Sequence, residues 1–182
     1  TGLMIIFLSS ILISVTIIFC VSCTSLDTSS VDTSNMKSGI VDNRFSMLVP
    51  NDYQETSSDY IDKYYIKDNS ASIIVTIDNN TIQYNNAKDY YSNAINQYKN
   101  TFDNVQEISS ESSTVSDIYN AQIVEFSYQI YSQNDVIDMT CYVEYILLGS
   151  STYIVTCSAP TDKYSTYKND FIQSINSIVI NN

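Results

Sequence analysis

The first 26 residues of the chain carry no charge, and every charged residue lies from Asp27 onward. Within this segment, residues 3–21 are almost continuously apolar. An apolar run of about 20 residues can span a bilayer, and it also suits the core of a long signal peptide. Because the sequence begins with Thr1, we expect the basic residues that usually open a signal peptide to lie upstream. We interpret residues 1–23 as a signal peptide or membrane anchor.

The end of this segment, Cys20-Val21-Ser22-Cys23, resembles the lipobox of bacterial lipoproteins. In a lipobox, a short stretch of aliphatic and small residues precedes the Cys that is acylated after cleavage. Val21 and Ser22 fit that pattern, whereas Cys20 stands where Leu is usual. The resemblance implies lipid attachment at Cys23 and a location on the extracytoplasmic face of the cell membrane. The alternative is an uncleaved transmembrane anchor.

Cys20 and Cys23 also form a CxxC pair, which in other proteins is a redox or zinc motif. A redox CxxC normally opens a helix inside a folded domain, whereas this pair lies at a membrane exit. A zinc site would have to combine this segment with Cys141 and Cys157 from predicted strands. We therefore predict no metal site and no cofactor.

The polar part of the chain divides into a linker and one domain. Residues 24–40 are rich in Ser, Thr, Asp and Asn and lack apolar periodicity, which predicts a flexible linker. Residues 41–182 have the length of a single domain. Their pattern predicts a strand at residues 45–49, followed by a hairpin formed by residues 60–67 and 71–78.

Helical spacing of apolar residues predicts two helices. Asn85 or Asn86 can cap the first, which presents one apolar face: Ala87, Tyr90, Tyr91, Ala94, Ile95, Tyr98 and Phe102. Thr161 is the expected N-cap of the second helix, which follows Pro160. Between the helices, further strands are predicted at residues 105–115, 120–132, 136–148 and 151–158.

The last predicted hairpin contains the two remaining cysteines. Cys141 shares one face of its strand with Val143, and Cys157 shares one face of its strand with Val155. If both faces are the core face, Val143 lies opposite Val155 and Cys141 lies opposite Cys157. Directly opposed residues have Cβ atoms roughly 4.5–5.5 Å apart, near the upper range for a disulfide. A slightly strained disulfide and two buried free thiols are both open alternatives.

Four local patterns accompany this order of elements: Phe45-x-x-x-x-Pro50-x-x-Tyr53, Ala87-x-x-Tyr90, Tyr153-Ile154-Val155-Thr156-Cys157-Ser158-Ala159-Pro160 and Phe171-x-x-x-Ile175-x-x-Ile178. Together, the order and the patterns resemble the PsbP-like domains of many small bacterial lipoproteins. The resemblance covers roughly residues 41–180. It implies an α+β fold, an α/β/α sandwich in which an antiparallel β-sheet is flanked by helices. It also implies a non-enzymatic binding or scaffolding module.

Composition argues against most catalytic chemistry. The chain has no His and only 3 Gly, which excludes His-based catalytic pairs and glycine-rich phosphate loops. Glu125 and Glu144 are the only carboxylates inside the stronger predicted strands, and we expect both to face solvent or a helix. We predict no catalytic residues. The alternative function is a transmembrane-anchored or secreted envelope hydrolase.

Charge and turn composition bear on the partners. With 20 Asp and Glu against 8 Lys and Arg, the net charge of -12 disfavours nucleic acid. Acidic turns at residues 78–80 and 134–138 could bind calcium, but Asp and Asn also favour turns for local reasons. The expected partners are the membrane, through the lipid or anchor, and an envelope protein or polysaccharide. Candidate exposed recognition groups are Tyr64, Tyr65, Tyr84, Tyr119, Tyr131 and Tyr142.

Overall fold

The structure is a computed structural model that describes residues 33–132 and 135–181. Its helices are α1 (Ala87–Thr101) and α2 (Thr161–Asn176). In chain order, its strands are β1 (Met36–Ile40), β2 (Phe45–Pro50), β3 (Gln54–Thr56), β4 (Lys63–Lys67), β5 (Ala71–Asp78), β6 (Asp103–Val115), β7 (Tyr119–Ser132), β8 (Asp135–Leu148), β9 (Ser151–Pro160) and β10 (Val179–Ile180). Within this part of the chain, neither helix is long and apolar enough to cross a membrane.

The strands form two antiparallel sheets. The large sheet has seven strands in the order β3-β4-β5-β9-β8-β7-β6, and the small one has three in the order β1-β2-β10. Helix α1 packs on one face of the large sheet, while α2 and the small sheet cover the other. This arrangement confirms the predicted α+β fold, an antiparallel sheet flanked by helices.

Both predicted helices are present, and their starts differ in how they are capped. At α1, the Asn86 side chain accepts a hydrogen bond from the Asp89 backbone N–H at 2.8 Å, as an N-cap should. At α2, Pro160 is the N-cap residue and Thr161 is already helical. The prediction of Thr161 as N-cap was therefore wrong by one residue. Its hydroxyl lies 2.9 Å from that of Thr140 instead.

Each face of the large sheet has its own apolar core. On the α2 face, Phe45 and Phe171 are fully buried, and the Phe45 ring stacks on Tyr153 at 5.0 Å between centroids. On the α1 face, Val124, Phe126 and the apolar side of α1 form the second core. Burying both faces explains why apolar residues occupy successive positions along β7, β8 and β9.

The predicted linker is shorter than expected. Residues 24–40 were predicted to be flexible, but β1 (Met36–Ile40) pairs with β2 along its whole length. This strand was missed because Met36-Lys37-Ser38-Gly39 has no apolar alternation, and the pairing with β2 stabilises it instead. Residues 1–32, which include the predicted lipid attachment site Cys23, lie outside the described residues.

The β8–β9 hairpin has a different register from the one predicted. Its two-residue turn, Gly149-Ser150, places Leu148 opposite Ser151. Gly149 has φ +66°, the conformation that suits glycine at the first central position of such a turn. Every later pair follows from that register, which sets Val143 opposite Thr156 rather than Val155.

This register corrects the expected cysteine pairing. Cys141 lies opposite Ser158, and Cys157 lies opposite Tyr142. Because directly opposed residues point to the same face, Cys141 belongs to the α1-side core and Cys157 to the α2-side core. Both thiols are free and buried. The expectation that the two cysteines oppose each other was wrong because it assumed a single core face.

Strand β6 forms one end of the large sheet in the described part of the chain. Most of its residues are exposed, and Ser and Glu dominate its sequence. Two irregularities interrupt its pairing with β7, one between Asp103 and Gln106 and one between Glu107 and Ser109. Such shifts bend and twist a strand at the rim of a sheet.

Candidate functional site

A cavity of about 240 Å³ lies between α1 and the large sheet, and we name it the α1 cavity. Helix α1 packs mainly against β6, β7 and β8, so it covers the β5 and β9 part of this face less completely. That part is lined by the short side chains of Thr76, Thr156 and Ser158 and by the longer ones of Ile74 and Ile154. Ala94 faces them from the helix. The cavity therefore results from the position of α1 combined with small residues beneath it.

Aromatic rings form one side of the α1 cavity. Phe102 lies 4.5 Å from Tyr128 and 5.6 Å from Tyr98, measured between ring centroids. Tyr90 and Tyr145 also line the cavity and lie 5.7 Å apart. Aromatic rings at these separations attract one another.

The open side of the cavity lies where α1 ends and β7 ends. There, the exposed residues Thr101, Asp103 and Tyr131 line the cavity. A hydrogen bond with Asp103 raises the pKa of the Tyr131 hydroxyl. Among the described residues that line the cavity, Asp103 is the only one with a formal charge. A molecule entering from solvent passes this single negative group.

The interior of the cavity contains polar atoms but no charge. Burial raises the pKa of the Cys141 thiol to about 12, and it raises the pKa values of Tyr128 and Tyr145 well above their ordinary range. These groups therefore stay protonated near neutral pH. The Cys141 thiol donates a weak hydrogen bond to the Tyr128 hydroxyl at 3.9 Å. Its high pKa makes Cys141 a poor nucleophile.

Tyr145 contributes a hydroxyl to the lining of the cavity. Tyr145 is 2% exposed and lines the cavity, yet no described residue forms a hydrogen bond with its hydroxyl. Tyr90, by contrast, donates to Asp78 at 3.1 Å. This hydroxyl is not among the fully enclosed side-chain atoms that lack a partner, so a molecule in the cavity can reach it and form a hydrogen bond with it.

The two carboxylates singled out in the sequence lie on the opposite face. Lys168 on α2 donates to both carboxylate oxygens of Glu125, at 3.0 and 2.9 Å. Glu144 is 2% exposed and accepts from Ser113 at 3.3 Å, while its Oε2 has no partner among the described residues. Burial raises the pKa of Glu144 to about 7. Both face the α2 side, as expected, and neither lines the α1 cavity.

The remaining predicted groups are distributed around the domain. Tyr131 is exposed, and Tyr84, Tyr119 and Tyr142 are partly exposed, whereas Tyr64 and Tyr65 are buried. In the turn at residues 78–80, the Asp78 carboxylate accepts from the Asn80 backbone N–H at 3.0 Å and from Tyr90. Residue 134 of the second acidic turn lies outside the described residues. In the described ranges, no group of three or more acidic or Cys side chains is arranged to hold a metal ion.

Of the candidate site and recognition residues named from the sequence, Cys141 and Tyr131 line the cavity. Tyr90, Ala94 and Tyr98 were placed on the apolar face of α1, but as core residues. Nothing in their spacing distinguishes a residue that fills a core from one that borders a cavity. A high share of small residues opposite a helix, here Thr76 and Thr156, is the signal that could have indicated a gap.

Comparison with known proteins places the fold. No family model and no curated protein matches the sequence. The solution structure of cyanobacterial PsbP (CyanoP) from Synechocystis is similar, with a TM-score of 0.61, 13% identity and coverage of 85% of this chain and 98% of that one. A protein of unknown function from Pseudomonas aeruginosa matches with a TM-score of 0.55 and 11% identity, over 82% of this chain and 99% of that one.

A third similar structure is LpqN of Mycobacterium tuberculosis, which is involved in cell envelope biogenesis. It has a TM-score of 0.55 and 11% identity, with 84% of this chain and 95% of that chain covered. Identities this low concern the fold alone. The element order, the two covered faces of the sheet and these similarities together confirm that the chain has a PsbP-like fold.

Proposed function

We propose that the chain is an extracytoplasmic, membrane-anchored lipoprotein whose folded domain is a non-enzymatic binding module. The α1 cavity is the observation that carries the binding role. It is concave, and its lining combines apolar surface with uncharged hydroxyl groups, as ligand sites commonly do. The involvement of LpqN in envelope biogenesis supports the extracytoplasmic location, since that protein has the same fold.

The arrangement of carboxylates favours binding over hydrolysis. Two carboxyl groups that converge on one substrate position can carry out general acid–base catalysis without His. Asp103 is the only carboxylate among the described residues lining the α1 cavity, and it is exposed. On the other face, Glu125 is neutralised by Lys168. A hydrolase that used paired carboxylates in the α1 cavity would lack its second carboxylate.

The anchoring role rests on the sequence. The apolar run of residues 3–21 ends at the lipobox-like Cys23, and a polar segment follows before β1. In this proposal the lipid on Cys23 holds the domain at the membrane, where it meets a small molecule, a protein or a polysaccharide of the envelope. The excess of acidic residues keeps the domain away from the anionic lipid surface.

Mass spectrometry of the N-terminal peptide tests the anchor. The full chain is expressed in a bacterium that acylates lipoproteins, and the membrane fraction is digested. We expect a peptide that begins at an acylated Cys23. Cys23→Ser abolishes the acylation, whereas the matched variant Cys20→Ser retains it. An intact N-terminal peptide with unmodified Cys23 would reject the lipoprotein and favour a transmembrane anchor.

A further inference from the structure

We propose that the α1 cavity binds a small, uncharged molecule that has a planar ring and one hydrogen-bonding group. The inference rests on the proposed function only in treating the domain as a binding module, and it adds the chemical class of the ligand. It does not depend on how the chain is anchored. Three properties of the cavity define the class: its size, its aromatic wall and its polar groups.

The size of the cavity limits the ligand to one or two rings. An engineered protein cavity of 150 Å³ holds benzene. At about 240 Å³, the α1 cavity has room for a fused two-ring molecule. It is too small for a polysaccharide chain or a protein segment, so such partners would have to bind elsewhere on the domain.

The wall of the cavity suits a flat ring. The rings of Tyr98 and Phe102 are nearly parallel, with 22° between their planes. The Phe102 ring also packs against that of Tyr128, at 4.5 Å between centroids. A planar ligand can lie on such a wall in an offset or edge-to-face arrangement, each pair contributing beyond the burial of area alone. Met139, which also lines the cavity, is a flexible side chain that adapts to rings of different shape.

The polar atoms inside the cavity define the hydrogen-bonding group. The Tyr145 hydroxyl has no hydrogen-bond partner among the described residues, so it can either donate to a ligand or accept from one. On the other side of the cavity, Thr76 and Thr156 contribute two more hydroxyls. A single hydroxyl or amine on the ring is enough to satisfy Tyr145.

The charges of the site exclude an anion. The interior groups Cys141, Tyr128 and Tyr145 are neutral and cannot compensate a buried negative charge. At the opening, Asp103 is negative and repels an anion before it enters. None of the described residues lining the cavity is a Lys or Arg. Carboxylates and phosphates are therefore poor ligands, which leaves an uncharged molecule.

Equilibrium dialysis measures the binding of three probes of similar shape to the purified full chain in dodecyl maltoside. Micelles of the same detergent without protein are the control for uptake of the probes by detergent. The probes are 2-naphthol, naphthalene and 2-naphthoate. We expect 2-naphthol to bind most tightly and naphthalene more weakly, because it leaves Tyr145 unsatisfied. We expect 2-naphthoate to bind at least about a hundredfold more weakly than 2-naphthol, since burying an uncompensated carboxylate is costly.

Two substitutions place the binding in the cavity. Ala94→Leu fills the space next to the helix and abolishes binding of both neutral probes, whereas Asn96→Leu, at an exposed position of the same helix, leaves it unchanged. Tyr145→Phe weakens 2-naphthol about fivefold, the value of one hydrogen bond, and leaves naphthalene unaffected. Its control is Tyr53→Phe, which removes a fully buried, unpartnered hydroxyl on the other face.

Several results would overturn the inference. These are tight binding of 2-naphthoate, unchanged binding in Ala94→Leu, and an equal loss of 2-naphthol binding in Tyr53→Phe and Tyr145→Phe. A melting curve of each variant shows whether it is folded at the temperature of the dialysis. Because the purified chain is used, the ligand class can fail while the lipid anchor stands, and the reverse also holds.

Discussion

Cys141 and Cys157 lie on opposite faces of the large sheet, although they occupy adjacent strands of one hairpin. Cys141 borders the α1 cavity, while Cys157 lies in the core beneath α2. A disulfide needs Cβ atoms about 3.5–4.5 Å apart that point toward each other. Side chains directed away from each other through a sheet cannot meet that requirement without a change of register.

We therefore expect both thiols to be free in the folded protein. Unfolding the chain in denaturant without reductant, alkylating it and mapping the peptides should show complete modification of Cys141 and Cys157. A disulfide-linked peptide that contains both residues would contradict the hairpin register. Cys20 and Cys23 are scored separately in the same map.

A substitution at Gly149 tests the turn that determines the β8–β9 register. Its φ of +66° is costly for a residue with a Cβ, although a Cβ there would meet no neighbouring atom. Gly149→Ala should lower the free energy of unfolding by about 1 kcal/mol from backbone strain alone. The matched variant Ser150→Ala, at the next position of the turn, should change it little. Urea unfolding measures both, and equal stability of the two variants would refute the strained turn.

Glu144 should make stability depend on pH. Its folded pKa of about 7 lies above the ordinary value of 4.5, so the folded state keeps a proton that the unfolded chain releases. The stabilisation of the fold by this protonated carboxyl is complete below about pH 4.5, and it is lost as the pH rises through 7.

The variant Glu144→Gln should thus equal the parent near pH 4 and exceed its stability at pH 8 by up to about 3 kcal/mol. Denaturant unfolding across this pH range measures the difference. Glu111→Gln, an exposed Glu on β6, is the control, and its difference from the parent should not follow pH in this way. A Glu144→Gln curve parallel to that of the parent would show that Glu144 is ionised in the fold.

The pair formed by Lys168 and Glu125 should matter more than an ordinary surface ion pair. The Lys168 side chain is 29% exposed and that of Glu125 only 11%, so removal of the cation leaves a largely buried carboxylate. Lys168→Met should cost about 2 kcal/mol of stability. Lys63→Met, which breaks a pair with the half-exposed Glu55, should cost less than about 1 kcal/mol. Thermal unfolding compares them, and a smaller loss for Lys168→Met would reverse this ranking.

Helix α1 shows what could be predicted from the sequence. Its apolar face and the Asn86 cap are local signals, and the helix begins directly after that residue. The β8–β9 register was also encoded locally, because a two-residue turn at Gly149-Ser150 determines every later pair. The error came from assuming one buried face. When both faces of the sheet are buried, the residues that point to either face are apolar. Apolarity then no longer shows which face a residue points to.

The α1 cavity could not be predicted in the same way. It depends on where α1 lies across the sheet, which is determined by contacts between residues far apart in the chain. The strand β1 is a similar case, since its side chains carry no strand pattern and its backbone pairing with β2 stabilises it. Both the α1 cavity and strand β1 therefore depend on contacts between residues that are far apart in the chain.

The exposed strand β6 affects how molecules of this protein meet. An uncovered sheet edge invites the strands of a neighbouring molecule to add to it, which is the first step of aggregation. On β6, the interruptions near Asp103 and Glu107 twist the edge, and negatively charged side chains such as Glu111 repel a second copy of the same edge. Both features oppose the edge-to-edge pairing of two copies of this sheet.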